Sequence, residues 1–260
     1  MEQEQDFHAL KAMLDWQIEL GATEAIGDAP VNRYEVPEVA AKPVVAEPAV
    51  EAPTVAEVVD PVALAEAAAS GAADIEQLQA ALAAYDLCEL KRGARSCVFS
   101  DGPPAARVMI IGEAPGRDED REGKPFVGRA GQLLDKMFAA IDMARDAEDA
   151  AQAIYITNIL PWRPPQNRNP SGDEIAMFRP FIERHIALAD PDVLVLMGGI
   201  SCVAMTGQKG ITRMRGKWTE VLGRPALPMF HPAYLLRTPE AKREAWHDLL
   251  MLQAKLREGG

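Results

Sequence analysis

Four side chains in this sequence could do chemistry together. Glu113 follows the apolar run Val108–Ile111 and Gly112, Asn158 closes the run Ile154–Thr157, and His231 follows Phe230. Phe126 stands alone between Pro125 and Val127-Gly128, downstream of the glycine loop Gly112-Glu113-Ala114-Pro115-Gly116. An asparagine amide carries one donor and one acceptor face, so it can pair with O4 and N3–H of uracil and reject cytosine. A phenylalanine can stack on a base, a histidine can donate to an oxygen that gains negative charge, and a carboxylate can orient a water. That set suits cleavage of an N-glycosidic bond to a base drawn out of its helix, and equally suits holding a nucleotide without reaction. Singly, each residue has an ordinary explanation: a solvated loop carboxylate, a turn-capping asparagine, a buried structural histidine. Jointly they describe a site.

Such residues need elements that bring them to one place. Arg107–Gly112, Ile154–Asn158 and Val193–Met197 are short apolar runs that read as buried strands, with Val221–Pro228 as strand and turn and Cys97–Ser100 as an edge strand. Between them, helical spacing marks 131–140, 171–190, 200–206 and 240–256. Ser171 with Glu174 has capping-box spacing. Alternating strands and helices predict a parallel sheet covered on both faces, whose strand ends share one rim.

Ahead of this body, residues 1–28 contain a helical pattern with Leu10, Met13, Leu14, Trp16 and Ile18 as its apolar face, residues 29–60 form a Pro/Ala/Glu-rich linker expected to be disordered, and 61–84 is an Ala-rich helix. The body proper is expected over 85–256. The 260-residue chain is 48% hydrophobic with net charge −12, yet residues 1–70 hold 14 acids against 3 bases, leaving 25 acids and 24 bases for the rest. The acidity belongs to the leader, and a basic face on the body remains open. No apolar stretch is long enough to span a bilayer, no secretory signal opens the chain, and three cysteines suggest no disulfide framework, so a reducing cytoplasm is the expected setting.

The segments GEAPGRDEDREGKPFVGRAG (112–131), YITNILPWRPPQNRNP (155–170), ITRMRGKW (211–218) and HPAYLLR (231–237), in this order, resemble the family 4 uracil-DNA glycosylases. The resemblance covers about 84–250. It implies a three-layer α/β/α sandwich around a four-stranded parallel sheet, and monofunctional removal of uracil from DNA to initiate base excision repair. Carried over by position, it places Glu113, Gly112 and Ala114 at sugar and base. It makes Glu119 and Asp120 an acidic pair, one of them a candidate to position water. Phe126 becomes the stacking aromatic, Asn158 the uracil reader and His231 the group facing O2. Ala114 stands where many superfamily members carry a catalytic Asp or Asn.

DNA contacts are expected from Arg163, Arg168, Arg213, Arg215, Lys217, Arg237 and Lys242. The family typically holds a [4Fe–4S] cluster on four cysteines. Here those positions read Tyr85, Cys88, Trp162 and Phe178, so no cluster is expected, and Cys97 and Cys202 are expected to be small buried hydrophobes. The chain is expected to act as a monomer, with the acidic leader open to a protein partner. The alternatives are a non-catalytic binder of uracil or abasic DNA, and an interaction protein that recruits through its leader.

Overall fold

The computed structural model describes residues 11–18 and 60–258. The chain divides into two units, Met1–Ala56 and Glu57–Gly260. In the first, helix α1 (residues 11–18) carries Met13, Leu14, Trp16 and Ile18 exposed, with a Lys11–Asp15 ion pair at 2.7 Å. The expected linker lies outside the described residues up to 59.

The second unit is built on a six-stranded sheet ordered β1-β3-β2-β4-β6-β5. Four strands form its parallel centre: β2 (Val108–Gly112), β3 (Ile154–Asn158), β4 (Val193–Met197) and β6 (Arg224–Met229). Two short antiparallel strands, β1 (Ser100–Asp101) and β5 (Thr219–Val221), close the edges. The expected four-stranded parallel sheet is therefore present, widened by one short strand on each side.

Alternation along each strand splits the core into two layers. Met109, Ile111, Tyr155, Leu194 and Leu196 face one set of helices, including α7 (Gly172–Ala189) and α8 (Gly199–Thr206). Val108, Ile110, Ile154, Ile156, Val193 and Val195 face α6 (Arg129–Ala139) and α11 (Lys242–Glu258). Strands buried on both faces read as continuous apolar runs, which is why three of the four central strands stand out in the sequence.

Residues 61–84 differ from the single helix expected ahead of the body. They form α2 (Pro61–Ser70) and α3 (Ile75–Ala84), separated at Gly71 and restarted by Asp74, whose carboxylate accepts from the Gln77 amide. Asp60 caps α2 through the Val62 amide at 2.9 Å. Ala65, Ala69, Leu78 and Leu82 are buried in the core that α7 shares, and Arg184 of α7 donates twice to the Ala72 carbonyl. The folded body thus takes in 61–84 instead of starting at 85: small alanine side chains let α2 lie close against α7.

Candidate active site

The parallel strands end at Gly112, Asn158, Met197 and Met229. Because β3 lies on one side of β2 and β4 on the other, the connections leave the sheet in opposite directions and open a crevice at that rim. A cavity of about 670 Å³ fills it, and Glu113, Phe126, Asn158 and His231 all line it. The four residues singled out from the sequence converge there.

Asn158 pairs in register with Gly112 and is 6% exposed. A Cβ at Gly112 would stand 2.3 Å from Asn158 Oδ1 and 2.5 Å from the Phe126 ring, so only glycine lets these two side chains approach over the strand end. Among the described residues the Asn158 amide has no hydrogen-bond partner, and the residue lines the cavity, so its donor and acceptor are available to a ligand. The Phe126 ring lies stacked against the His231 ring at 5.3 Å.

His231 caps α10 (Pro232–Arg237): its Nδ1 accepts from the Ala233 amide at 3.1 Å. That bond fixes the neutral tautomer with its proton on Nε2, so the ring can offer Nε2–H to a ligand oxygen. Burial, helped by the nearby Arg237 charge, holds its pKa down to about 4, so the ring is neutral at pH 7.

The carboxylates sort differently from expectation. Helix α5 (Arg117–Glu122) takes up the acidic run, with three acids in its first turn opposing the helix dipole. Glu119 reaches the cavity wall, but Oε1 accepts from the Val127 and Gly128 amides at 3.0 and 2.9 Å and Oε2 from Gly116 at 3.1 Å. It braces the loop. Asp120 turns away from the cavity and accepts from the Arg95 and Ser96 amides at 2.8 and 3.1 Å. Both carboxylates are thus committed to backbone amides. Glu113 lines the cavity without a side-chain hydrogen bond among the described residues, and burial raises its pKa. Ala114 also lines the wall, and Gly112 lies beneath it.

The cations divide too. Arg215 is turned inward: its guanidinium grips Asp248 of α11, which is 0% exposed, with Nε donating at 2.9 Å. Its charge is thereby committed to the buried Asp248 carboxylate. Arg168 is exposed at the cavity mouth, yet its guanidinium forks onto Glu174 at 2.8 and 2.6 Å, and Glu174 completes the capping box with Ser171. Arg163 donates to Asn167 at 2.8 Å. Arg213, Lys217, Arg237 and Lys242 are exposed, and of these only Arg237 lines the cavity. Two lining arginines escaped the sequence reading, Arg117 and Arg129, which open α5 and α6. Their positions just after Gly116 and Gly128 were the available signal.

A family model described as the uracil DNA glycosylase superfamily matches residues 99–250. The chain belongs to the uracil-DNA glycosylase superfamily. Similar proteins include the type-4 uracil-DNA glycosylase of Thermotoga maritima, 34% identical over 66% of this chain and 90% of that protein. That of Sulfurisphaera tokodaii is 34% identical over 65% and 79%, and that of Archaeoglobus fulgidus 36% over 62% and 82%. The three-layer α/β sandwich is the architecture the resemblance implied.

The four positions where such glycosylases typically carry cluster cysteines meet in one apolar core layer, and they do not fit a cluster. Only Cys88 offers a thiol, and burial raises its pKa, which disfavours the thiolate a metal needs. The Tyr85 hydroxyl donates to the Pro61 carbonyl at 2.8 Å, and its ring meets Phe178 edge-on at 6.0 Å. Trp162 Nε1 is buried without a partner among the described residues, and an indole N–H, a donor only, cannot ligate. Lys91 lies 5.9 Å above the Trp162 ring. Cys202 is buried, Cys97 is half-buried, and burial pushes their thiols up to about 12 and about 11. Among the described residues no helix is long and apolar enough to cross a membrane.

Proposed function

We infer that this chain is a uracil-DNA glycosylase that hydrolyses the N-glycosyl bond of uracil in DNA, with uracil-containing DNA as its substrate. The observation that carries this reading is the unpartnered Asn158 amide, set in one cavity with Phe126 and His231 at the strand rim. A flipped uracil entering there stacks on Phe126. It receives a hydrogen bond at O4 from the Asn158 NH2 and gives N3–H to Oδ1. As the glycosidic bond breaks, charge moves into the base and collects on O2. The neutral His231 supplies Nε2–H to that oxygen, and a preorganised donor in a dry site stabilises developing charge more than the ground state. Glu113 is the lining carboxylate free to orient the attacking water and to face the cationic sugar. Among the described residues the cavity lining offers no lysine amine as a nucleophile, and in this reading water completes the reaction, leaving an abasic site. Arg117, Arg129 and Arg237 stand at the mouth for backbone phosphates.

We propose further that the enzyme works without an iron–sulfur cluster. Supporting this are the aromatic side chains at three of the ligand positions and the Arg168–Glu174 fork that ties the proline-rich loop to α7. A cytoplasmic setting agrees with three free thiols, two of them buried.

An end-labelled oligonucleotide with one uracil tests the activity. Alkali should break the strand at that position after incubation, and not when thymine or cytosine replaces uracil. Binding without any alkali-labile site would mean recognition without chemistry and would overturn the reading.

A further inference from the structure

Phe126 has a backbone φ of +53°, a left-handed conformation unusual for an aromatic residue. Strain of this kind persists only where the surroundings over-determine it. The surroundings here are two charged side chains on opposite sides of the residue. The carbonyls of Pro125 and Phe126 each accept from the Arg145 guanidinium at 2.9 Å. The amides of the next two residues, Val127 and Gly128, both donate to Glu119. Below them, a Cβ at Gly131 would stand 1.7 Å from the Phe126 carbonyl oxygen, so α6 is approached as closely as glycine permits.

Arg145 comes from the segment between α6 and β3 and does not line the cavity. Its guanidinium is fully used. Nε and one Nη2 hydrogen go to Asp135 at 3.0 and 2.7 Å, one Nη1 hydrogen goes to Asp101 at 3.0 Å, and the remaining two go to the Pro125 and Phe126 carbonyls. Five N–H donors meet four acceptor oxygens, Asp135 Oδ1 accepting twice, a pattern that the three donors of a lysine ammonium cannot reproduce. The two carboxylates fix the fork, and the fork fixes the carbonyls.

We propose that Arg145 is a positioning residue for uracil excision: with Glu119 opposite, it clamps the 125–128 backbone so that the Phe126 ring is held as a ready stacking surface beside His231. The proposal rests on the reading of Phe126 as the surface that stacks on the flipped base. Arg145 touches neither base nor sugar, and its whole effect on the reaction passes through Phe126.

A double-mutant cycle in single-turnover excision isolates that route, at a temperature below the melting of every variant. Arg145→Lys keeps the charge and loses the fork, and should slow uracil release by up to about 100-fold, the cost of small misplacement in a site. On a Phe126→Ala background the same change should cost no more than about twofold, because its target is gone. Losses that multiply, or Arg145→Lys excising at the parental rate, would overturn the clamp. If Arg145→Lys does not fold, Glu119→Gln run through the same cycle decides by the same criterion. Amide exchange at Val127 and Gly128 reads the clamp without catalysis. Faster exchange in Arg145→Lys supports it and unchanged exchange overturns it, even if the parent released no uracil, a result that would fall on the proposed function instead.

Discussion

Replacing Asn158 by aspartate changes one atom group and should change base choice. The side chain sits at the end of β3, 6% exposed, against Gly112 and the Phe126 ring, so it has little room to rotate away. In the proposed pairing, the parent NH2 donates to uracil O4 while Oδ1 accepts from N3–H. In Asn158→Asp the second contact survives and the first becomes two oxygens facing each other. One such contact left unmade in a dry pocket costs about 1–3 kcal/mol, with charge raising it. At about 1.4 kcal/mol per decade, that is roughly 5- to 150-fold in excision rate at pH 8. Burial also raises the new carboxyl's pKa, and its protonated form can again donate to O4. The defect should therefore shrink as pH falls from 8 to 5.5. The acid form also matches cytosine, with O–H to N3 and the carbonyl receiving N4–H2, so cytosine release should emerge at the acid end. The assay is single-turnover cleavage of matched uracil and cytosine oligonucleotides across that pH range. Parental uracil release by Asn158→Asp at pH 8 would refute the pairing scheme.

Further outcomes follow from the same geometry. Phe126→Ala should slow uracil release about 5- to 150-fold, as loss of base stacking implies, while leaving the uracil-to-cytosine ratio unchanged; a shifted ratio would show that the ring selects. Arg215→Ala strands the Asp248 carboxylate and should cost about 3–5 kcal/mol of stability in urea unfolding, with the salt dependence of DNA binding unaltered; a shallower salt slope with parental stability would return Arg215 to the DNA surface. Removing residues 1–59, which hold 12 acids against 3 bases and stop short of the Asp60 cap, should leave excision intact and tighten non-specific DNA binding at low salt; loss of folding would contradict the boundary. His185 and His231 have folded pKa values held down to about 3 and about 4, below the ordinary 6.5. The unfolded chain takes up their protons first, so their contribution is full above pH 6.5 and is lost as pH falls towards those values. Flat stability between pH 6.5 and 4.5 would contradict their neutral burial.

The site was legible because its members sit at the ends of strands whose runs are apolar on both faces, and a parallel sheet brings such ends together. β6 was harder, since Pro225 and Pro228 interrupt a run that nonetheless pairs with β4 and β5. Helix α5 was not marked in the sequence, because Gly116 has no side chain to signal the cap that Glu119 makes on its amide. Direction was the least legible property. Asp120 turns to Arg95 and Ser96, and Arg215 to Asp248, and partners 24 to 33 residues apart leave no trace in local spacing. Arg145 gave no signal at all, because its role lies in acceptors supplied by Asp101, Pro125, Phe126 and Asp135.

The central claim is that this pocket releases uracil on its own side chains, with aromatic packing where similar enzymes place cluster ligands. One preparation, purified under anaerobic conditions, tests it: iron and sulfide are quantified on the same sample whose uracil release is timed. The expected result is a colourless protein with far less than one iron per chain that opens an alkali-labile site at uracil and nowhere else. A brown protein with stoichiometric iron and sulfide whose activity disappears with the metal, or an iron-free protein that leaves the uracil strand intact, would contradict it.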